Sequence, residues 1–328
     1  MNGKPVISSP VKSVINFTSG FKEKLLSDGP TFSLGTACAY SCAFCYVPAV
    51  MARAVSLPFG LRHEEVVIRR ENALEVLKSQ LVGPKSGKRL HDKPDDKRVI
   101  FSSPLVDVAA NIELCRETAA ACAIILHNTN WQIRLLSKSN LLPHIAKQLI
   151  GMAKLAEWDF DETSVYTRMI FGVSTGTLDD KLAQSFEQGT PLVSKRIESL
   201  HWLQDYGFRT YGMVCPNLPQ RNYDEFASEM REALRYPYCE HVWAEVLNAR
   251  GESMKRTIAA LEAGGFQWEA DELRLIAKDP GAHEIYARAT FLAHAKWVPV
   301  GKLRWLQYAT KDTLPWWSQR VEQGAILL

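Results

Sequence analysis

The sequence predicts an α/β protein, a partial (β/α)6 barrel of the TIM type, from two observations. Short apolar, β-branched runs alternate with stretches of helical periodicity, and this alternation occurs six times along the chain. A parallel neighbour can be reached only through a crossover, and a crossover helix covers the sheet face, so the order implies a parallel sheet.

The units follow one another regularly. The first strand falls near 32 to 36, with a helix near 63 to 82. RVIFSS at 98 to 103 precedes a helix near 112 to 127, and QIRLLS at 132 to 137 precedes one at 141 to 156. MIFGVS at 169 to 174 leads to a helix at 194 to 206, RTYGMV at 209 to 214 to one from about 223, and HVWAEV at 241 to 246 to helices from about 252. The domain plan is therefore an N-terminal extension at 1–30, a barrel at 31–250 and a helical, Trp-rich C-terminal extension at 251–328 packed on it. In such folds the chemistry belongs to the loops after the strand C-termini.

Three segments interrupt the rhythm. GPKSGKRLHDKPDDKR at 83 to 98 and WDFDETSVYT at 158 to 167 read as surface loops. The Lys-rich one is either simply solvated or a nucleic-acid contact through Lys85, Lys88 and Arg89. The tail from about 297 carries Trp297, Trp305, Trp316 and Trp317, which suit a core or a base-stacking platform.

Composition narrows the class further. With 328 residues and 46% hydrophobic content the chain can bury a sizeable core. A net charge of +3 permits a polyanionic partner without arguing for one. The first twenty residues hold no continuous apolar run and nothing approaches a membrane span, so the expectation is a cytoplasmic protein with no membrane partner. Seven cysteines without small-domain disulfide spacing point to reduced thiols, some of them metal ligands.

Three of these cysteines stand together in GTACAYSCAFCYVP: Cys38, Cys42 and Cys45, directly after the first strand. Gly35 and its small neighbours let backbone wrap closely around a metal centre there. A structural zinc closes its shell with four ligands. His63 or Cys215 could supply the fourth, but no second C-x2-C or H-x3-H pair appears. Three thiolates on a cubane instead leave one iron without a protein ligand.

The C-x3-C-x2-C spacing, with Phe44 before the last cysteine, resembles the radical S-adenosylmethionine superfamily. That resemblance implies a [4Fe-4S] cluster whose unique iron chelates S-adenosylmethionine. It also implies an external one-electron donor such as flavodoxin or ferredoxin, and reductive cleavage to a 5'-deoxyadenosyl radical that removes a hydrogen from substrate. From about residue 32 to 236 the chain is similar to the spore photoproduct lyase-like group, also called DNA repair photolyase-like. The similarity rests on VIFSSPLVD, on RLLSKSNLL, and most on the stretch from GVSTGTLDDK to MVCPNLP. There Ser174, Glu187, Pro191, Arg196, Gly207 and Pro216 fall on the group's pattern, while Gln188 departs from it.

Roles carry over position by position. Lys138 matches a lysine suited to the S-adenosylmethionine carboxylate. Ser102 and Ser103 stand where related enzymes receive the methionine amino group, and Ser174 where ribose or carboxylate is touched. Tyr46 is placed to flank adenine, or to pack beneath the loop. Asp107 either shapes this rim or caps the helix near 112. Photoproduct lyases proper carry a hydrogen-donating cysteine near the end of the second strand, where this chain has serines, so thymine-dimer reversal is not implied. Cys215, at the end of the fifth strand, takes the place of a hydrogen donor, with Tyr211 on the same strand face by alternation; packing is the other account of Cys215. Cys115 and Cys122 share a helix stripe and read as core.

Three functions follow in order. The first is a radical S-adenosylmethionine enzyme, of lyase or modifying type, acting on a nucleobase in DNA or a nucleotide. The second keeps that chemistry with a peptide, RNA or metabolite as target. The third is a non-catalytic iron-sulfur or zinc protein with a binding or regulatory role.

Overall fold

The computed structural model describes residues 4–51, 57, 61, 65–102, 104–248 and 252–328. The chain divides into two compact units, the first formed by Met1–Tyr40, Val47–Gly172 and Trp202–Arg209, the second by Ser41–Tyr46, Val173–His201 and Thr210–Leu328. Both are mixed α/β structures built on parallel strands.

In the first unit Thr31–Phe32 pairs parallel with Val99–Ser102, which pairs parallel with Gln132–Ser137, while Ile15–Asn16 closes the edge antiparallel. Ile100, Phe101, Ile133 and Leu135 are fully or almost fully buried, as apolar runs flanked by crossover helices require. The helices Ile112–Asn128 and Leu142–Met152 supply Cys122, Ile125, Ile145 and Leu149 to the same core. Asn111, not Asp107, caps the first of these helices, accepting a hydrogen bond from the Leu114 N–H at 2.9 Å.

A second, smaller sheet in this unit corrects the sequence reading. The helix expected near 63 to 82 is confined to Ala73–Leu81, and Val67–Arg70 is a strand between Val6–Ser9 and Gly35–Ala37. VVIR is β-branched and apolar, which favours extended backbone over the helical period imposed on it. Gly35 serves this pairing: a Cβ there would meet the Ile68 carbonyl oxygen at 2.6 Å. The segment at 158 to 167 is likewise not all loop, since Asp161 caps a helix at Glu162–Arg168. The Lys-rich loop is a loop as expected, tied down by the Trp131 indole donating to Asp96 at 3.0 Å.

In the second unit Arg209–Asn217, Cys239–Val246, Leu303–Gln307 and Ala325–Leu327 pair parallel in that order. The last two strands lie in the tail that was expected to be helical. They fold around tryptophan: Trp305 and Trp317 are both completely buried and stacked at 6.2 Å, with Phe291 edge-on to both. Trp316 lies between the Arg320 and Arg288 guanidinium groups, and the Trp297 indole donates to Asp224. Packing, rather than base stacking, occupies these rings. Among the described residues no helix is long and apolar enough to cross a membrane.

One buried titratable group in this unit makes stability pH-dependent. His294 is fully buried, donates from Nε2 to Asn217 Oδ1 at 2.9 Å, and is held down to a pKa of about 4 by burial. The unfolded chain takes up that proton near the ordinary value of about 6.5, before the folded chain does, so this contribution is complete above pH 6.5 and lost as pH falls toward 4. Denaturant midpoints should therefore report about 2 kcal/mol less stability at pH 5 than at pH 7 from this residue alone. His294→Gln should flatten that part of the profile; an unchanged slope would assign the loss to other groups.

Candidate functional site

The cysteine segment is contributed to both units. Cys38 belongs to the first and Cys42 and Cys45 to the second. All three are reduced and half-buried, as is Cys215, whereas Cys115, Cys122 and Cys239 are buried. The Tyr40 N–H points at the Cys38 sulfur at 3.5 Å, and the Cys45 N–H closes a turn on the Cys42 carbonyl at 3.1 Å. Arg256, from the helix Glu252–Ala263, donates to the Cys45 carbonyl at 2.6 Å. Ser41–Cys42 pairs antiparallel with Glu187–Gln188, and the Phe44 and Phe186 rings lie 5.8 Å apart.

By number and kind of donor, three thiols in one segment suit a cubane. A thiol that accepts a backbone N–H is disposed to carry negative charge, and such hydrogen bonds to sulfur are a recognised means of setting cluster potential. Among the described residues no three His, Cys, Asp or Glu side chains are gathered to hold a single metal ion. A cubane makes a different demand, one thiolate for each of three irons. His63, named as a possible zinc ligand, lies outside the described residues.

Behind the cysteine segment stands a buried ion pair. Arg196 and Glu187 are both wholly buried and meet at 2.5 Å. The same guanidinium donates from Nε to the Pro191 carbonyl at 2.9 Å, from Nη2 to Thr190 Oγ1 at 2.6 Å, and from Nη1 to the Ser174 carbonyl at 3.3 Å. Sequence comparison marked both residues as matching the group without giving them this role.

Ser174 is buried, and its hydroxyl donates to the Cys215 carbonyl at 3.3 Å. Gly176 follows so close to Pro216 that a Cβ would fall 1.8 Å from the Pro216 carbonyl oxygen, which only glycine allows. The Cys215 thiol lies 3.9 Å from Glu245 Oε2 and is oriented to donate to it. Tyr211 leads elsewhere, its buried ring meeting Trp243 at 5.2 Å. Tyr46 leaves half of its surface exposed, yet its phenol is raised well above its ordinary pKa, first by desolvation, then by Cys45, Glu245 and Tyr308. The phenol therefore stays protonated and remains a donor.

In the first unit Lys138 follows the strand Gln132–Ser137. Asp107 accepts from the Lys138 backbone N–H and the Ser137 hydroxyl, both at 2.7 Å, and from the Ala109 N–H at 2.9 Å. Asp107 is therefore a positioning residue for the Lys138 turn. The Ser102 hydroxyl is directed to the Phe32 carbonyl at 3.3 Å, while Ser103 lies outside the described residues. Structure thus gathers Ser174, Cys215, Glu245, Tyr46, Cys42 and Cys45 in the second unit, and Lys138, Asp107, Ser102 and Cys38 in the first. Glu245 was missed by sequence reasoning, although a carboxylate at the end of an otherwise apolar strand is a signal that could have found it.

No family model matches the chain. Uncharacterized protein ORF301 of Acidianus two-tailed virus is 26% identical over 260 residues, 77% of this chain and 78% of that protein. Among solved structures, spore photoproduct lyase complexed with dinucleoside spore photoproduct is similar at a TM-score of 0.53 and 12% identity, over 78% of this chain. Two spore photoproduct lyase mutants, one tyrosine-to-phenylalanine and one cysteine-to-serine, each give 0.52 at 12% identity. The chain spans 66% of the length of these structures. At such identity the likeness is one of fold, and the resemblance to spore photoproduct lyase read from the sequence is found again there.

The buried pair gives a direct prediction. Arg196→Met, which strands Glu187, should cost about 3–5 kcal/mol in chemical denaturation, while Arg196→Met with Glu187→Leu should recover much of that loss. Equal losses in the single and double variants would show that packing around the guanidinium, not charge, dominates.

Proposed function

We propose that this protein is a radical S-adenosylmethionine enzyme acting on a nucleobase in DNA or a nucleotide. One observation carries the reading: a spore photoproduct lyase-like fold in a chain with three reduced, half-buried thiols spaced C-x3-C-x2-C. Cys38, Cys42 and Cys45 would hold a [4Fe-4S] cluster, with S-adenosylmethionine on the open iron. Bound there, this pair supplies one-electron chemistry able to remove a hydrogen from an unactivated carbon.

The chain's own residues then have separable tasks. Lys138, its turn fixed by Asp107, offers a cation to the S-adenosylmethionine carboxylate. The resemblance assigns cofactor contacts to Ser102, Ser103 and Ser174, and the Tyr46 phenol follows Cys45 directly in the chain. Cys215, with Tyr211 on its strand, is the candidate hydrogen donor to a substrate radical, and Glu245 fixes the orientation of its thiol. In this reading residues 31–250 are the partial barrel, 1–30 an N-terminal extension and 251–328 a C-terminal extension packed on it. The enzyme works in the cytoplasm with an external donor such as flavodoxin or ferredoxin.

The DNA version of this reading draws less from Arg89 than its sequence suggests. That guanidinium is already engaged by Asp159 at 2.7 Å and Asp92 at 3.7 Å. Lys85 and Lys88 are exposed and remain suited to phosphate.

Anaerobic reconstitution tests the reading. The intact chain should bind about four irons, as a [4Fe-4S] cluster requires, and release 5'-deoxyadenosine from S-adenosylmethionine under reductant. Alanine at Cys38, Cys42 or Cys45 should abolish both; full turnover in any such variant would sink the proposal. Lys138→Ala should weaken S-adenosylmethionine binding about 10- to 100-fold with iron content unchanged, the loss of one charge-assisted contact. DNA binding should weaken steeply with salt, and charge reversal at Lys85 and Lys88 should flatten the slope by about 2. Negligible DNA affinity at low salt would leave only the nucleotide or the non-DNA targets.

A further inference from the structure

A cavity of about 230 Å³ lies in the second unit and shares Glu245 with the arrangement above. It opens where two parallel strands end, since Glu245 and Val246 come from the end of Cys239–Val246, and Leu306 and Gln307 from the end of Leu303–Gln307. The carboxyl ends of parallel strands are where such sheets take ligands. Ile276 and Leu306 give it apolar wall, while Glu245, Asn248, Gln307 and Tyr308 bring polar groups. At this size it is below the roughly 300–1,000 Å³ of clefts for drug-sized molecules, so it suits a single ring system rather than a dinucleotide.

Charge selects further. Glu284, also at the wall, is engaged by Arg288 Nε at 2.6 Å and by the Trp317 indole at 2.8 Å. Glu245 faces both this cavity and the Cys215 thiol at 3.9 Å. A carboxylate accepts and cannot donate; with Glu284 paired to Arg288, Glu245 is the carboxylate that disfavours phosphate at this wall. We infer that this cavity is a substrate subsite for a nucleobase bearing an exocyclic amine, with Glu245 accepting the amine N–H. Carboxylates read cytosine in this way through its N4 amine, and adenine offers the equivalent N6 donors. Asn248 and Gln307 can each donate and accept along the remaining edge, and the apolar residues cover the ring face. Thymine and uracil present a carbonyl oxygen at the corresponding position, which a carboxylate repels. The subsite would set Glu245 and Cys215 beside the bound base.

The catalytic relevance of this inference rests on the enzyme reading above, but its test does not. Calorimetric titration of the full-length, metal-free chain with cytidine, adenosine and thymidine should show at least one amine-bearing nucleoside bound about tenfold or more tighter than thymidine, the scale of one discriminating base contact. Glu245→Gln should remove most of that preference, and Leu306→Trp, which fills the cavity, should abolish binding of all three while circular dichroism stays native. Equal affinity for thymidine or absence of binding at millimolar nucleoside would each overturn the assignment. If selectivity holds but the reconstituted chain never cleaves S-adenosylmethionine, the enzyme reading fails and the subsite stands. Cleavage without selectivity would leave the enzyme reading standing and overturn the subsite.

Discussion

The local geometry of the second unit depends on one cation placed where water cannot reach it. A buried guanidinium carries a desolvation cost of several kcal/mol, which only a carboxylate and further acceptors can offset. Arg196 finds all of them: Glu187, Thr190, and the carbonyls of Pro191 and Ser174. The four acceptors belong to three pieces of the site. Ser174 ends a strand, Pro191 and Thr190 form the turn before a helix, and Glu187 begins the two-residue strand that pairs with Ser41–Cys42. A single guanidinium therefore ties the strand that pairs with Ser41–Cys42 to the strand end at Ser174. Because the pair tolerates no partial version, the segment has one arrangement rather than several.

This dependence explains what could and could not be read from the chain. Gln132–Ser137 and Met169–Ser174 were legible to the residue, since continuous apolar runs bounded by turns leave few alternatives. The helix Ile112–Asn128 was read to within a residue at its end, although Asn111 rather than the expected Asp107 caps it. Val67–Arg70 was not, because its extended state is decided by pairing with Val6–Ser9 some sixty residues away. The C-terminal strands escaped for the same reason. Trp305 reads as an isolated aromatic until Trp317 and Phe291 are brought against it.

The site divides along the same line. Cys38, Cys42 and Cys45 announce themselves because their spacing is local, and local spacing survives without a fold. Asp107 was named but not its partners, since its three hydrogen bonds reach residues 109, 137 and 138, and most of that distance is invisible to any window on the sequence. Glu245 is a further case. One acidic residue on an exposed strand edge would mean nothing, but its placement between the Cys215 thiol and a cavity gives it chemistry.

The thiols themselves show how the fold sorts identical groups by environment. Burial pushes Cys115 up to about 12, with Asp107 adding to it, and pushes Cys122 higher still. Cys239 is buried and donates to the Leu234 carbonyl at 3.4 Å. These three are held as thiols, and a thiol is a poor metal ligand and a poor nucleophile. Cys38, Cys42, Cys45 and Cys215 are all only half-buried. Three of those lie in one segment, where a backbone N–H already faces one sulfur. The fourth faces a carboxylate, which favours the protonated thiol over the thiolate. Metal ligation asks for sulfur without its proton and hydrogen donation for sulfur with it, so under the proposed function the two demands would fall on cysteines whose surroundings already differ in that sense.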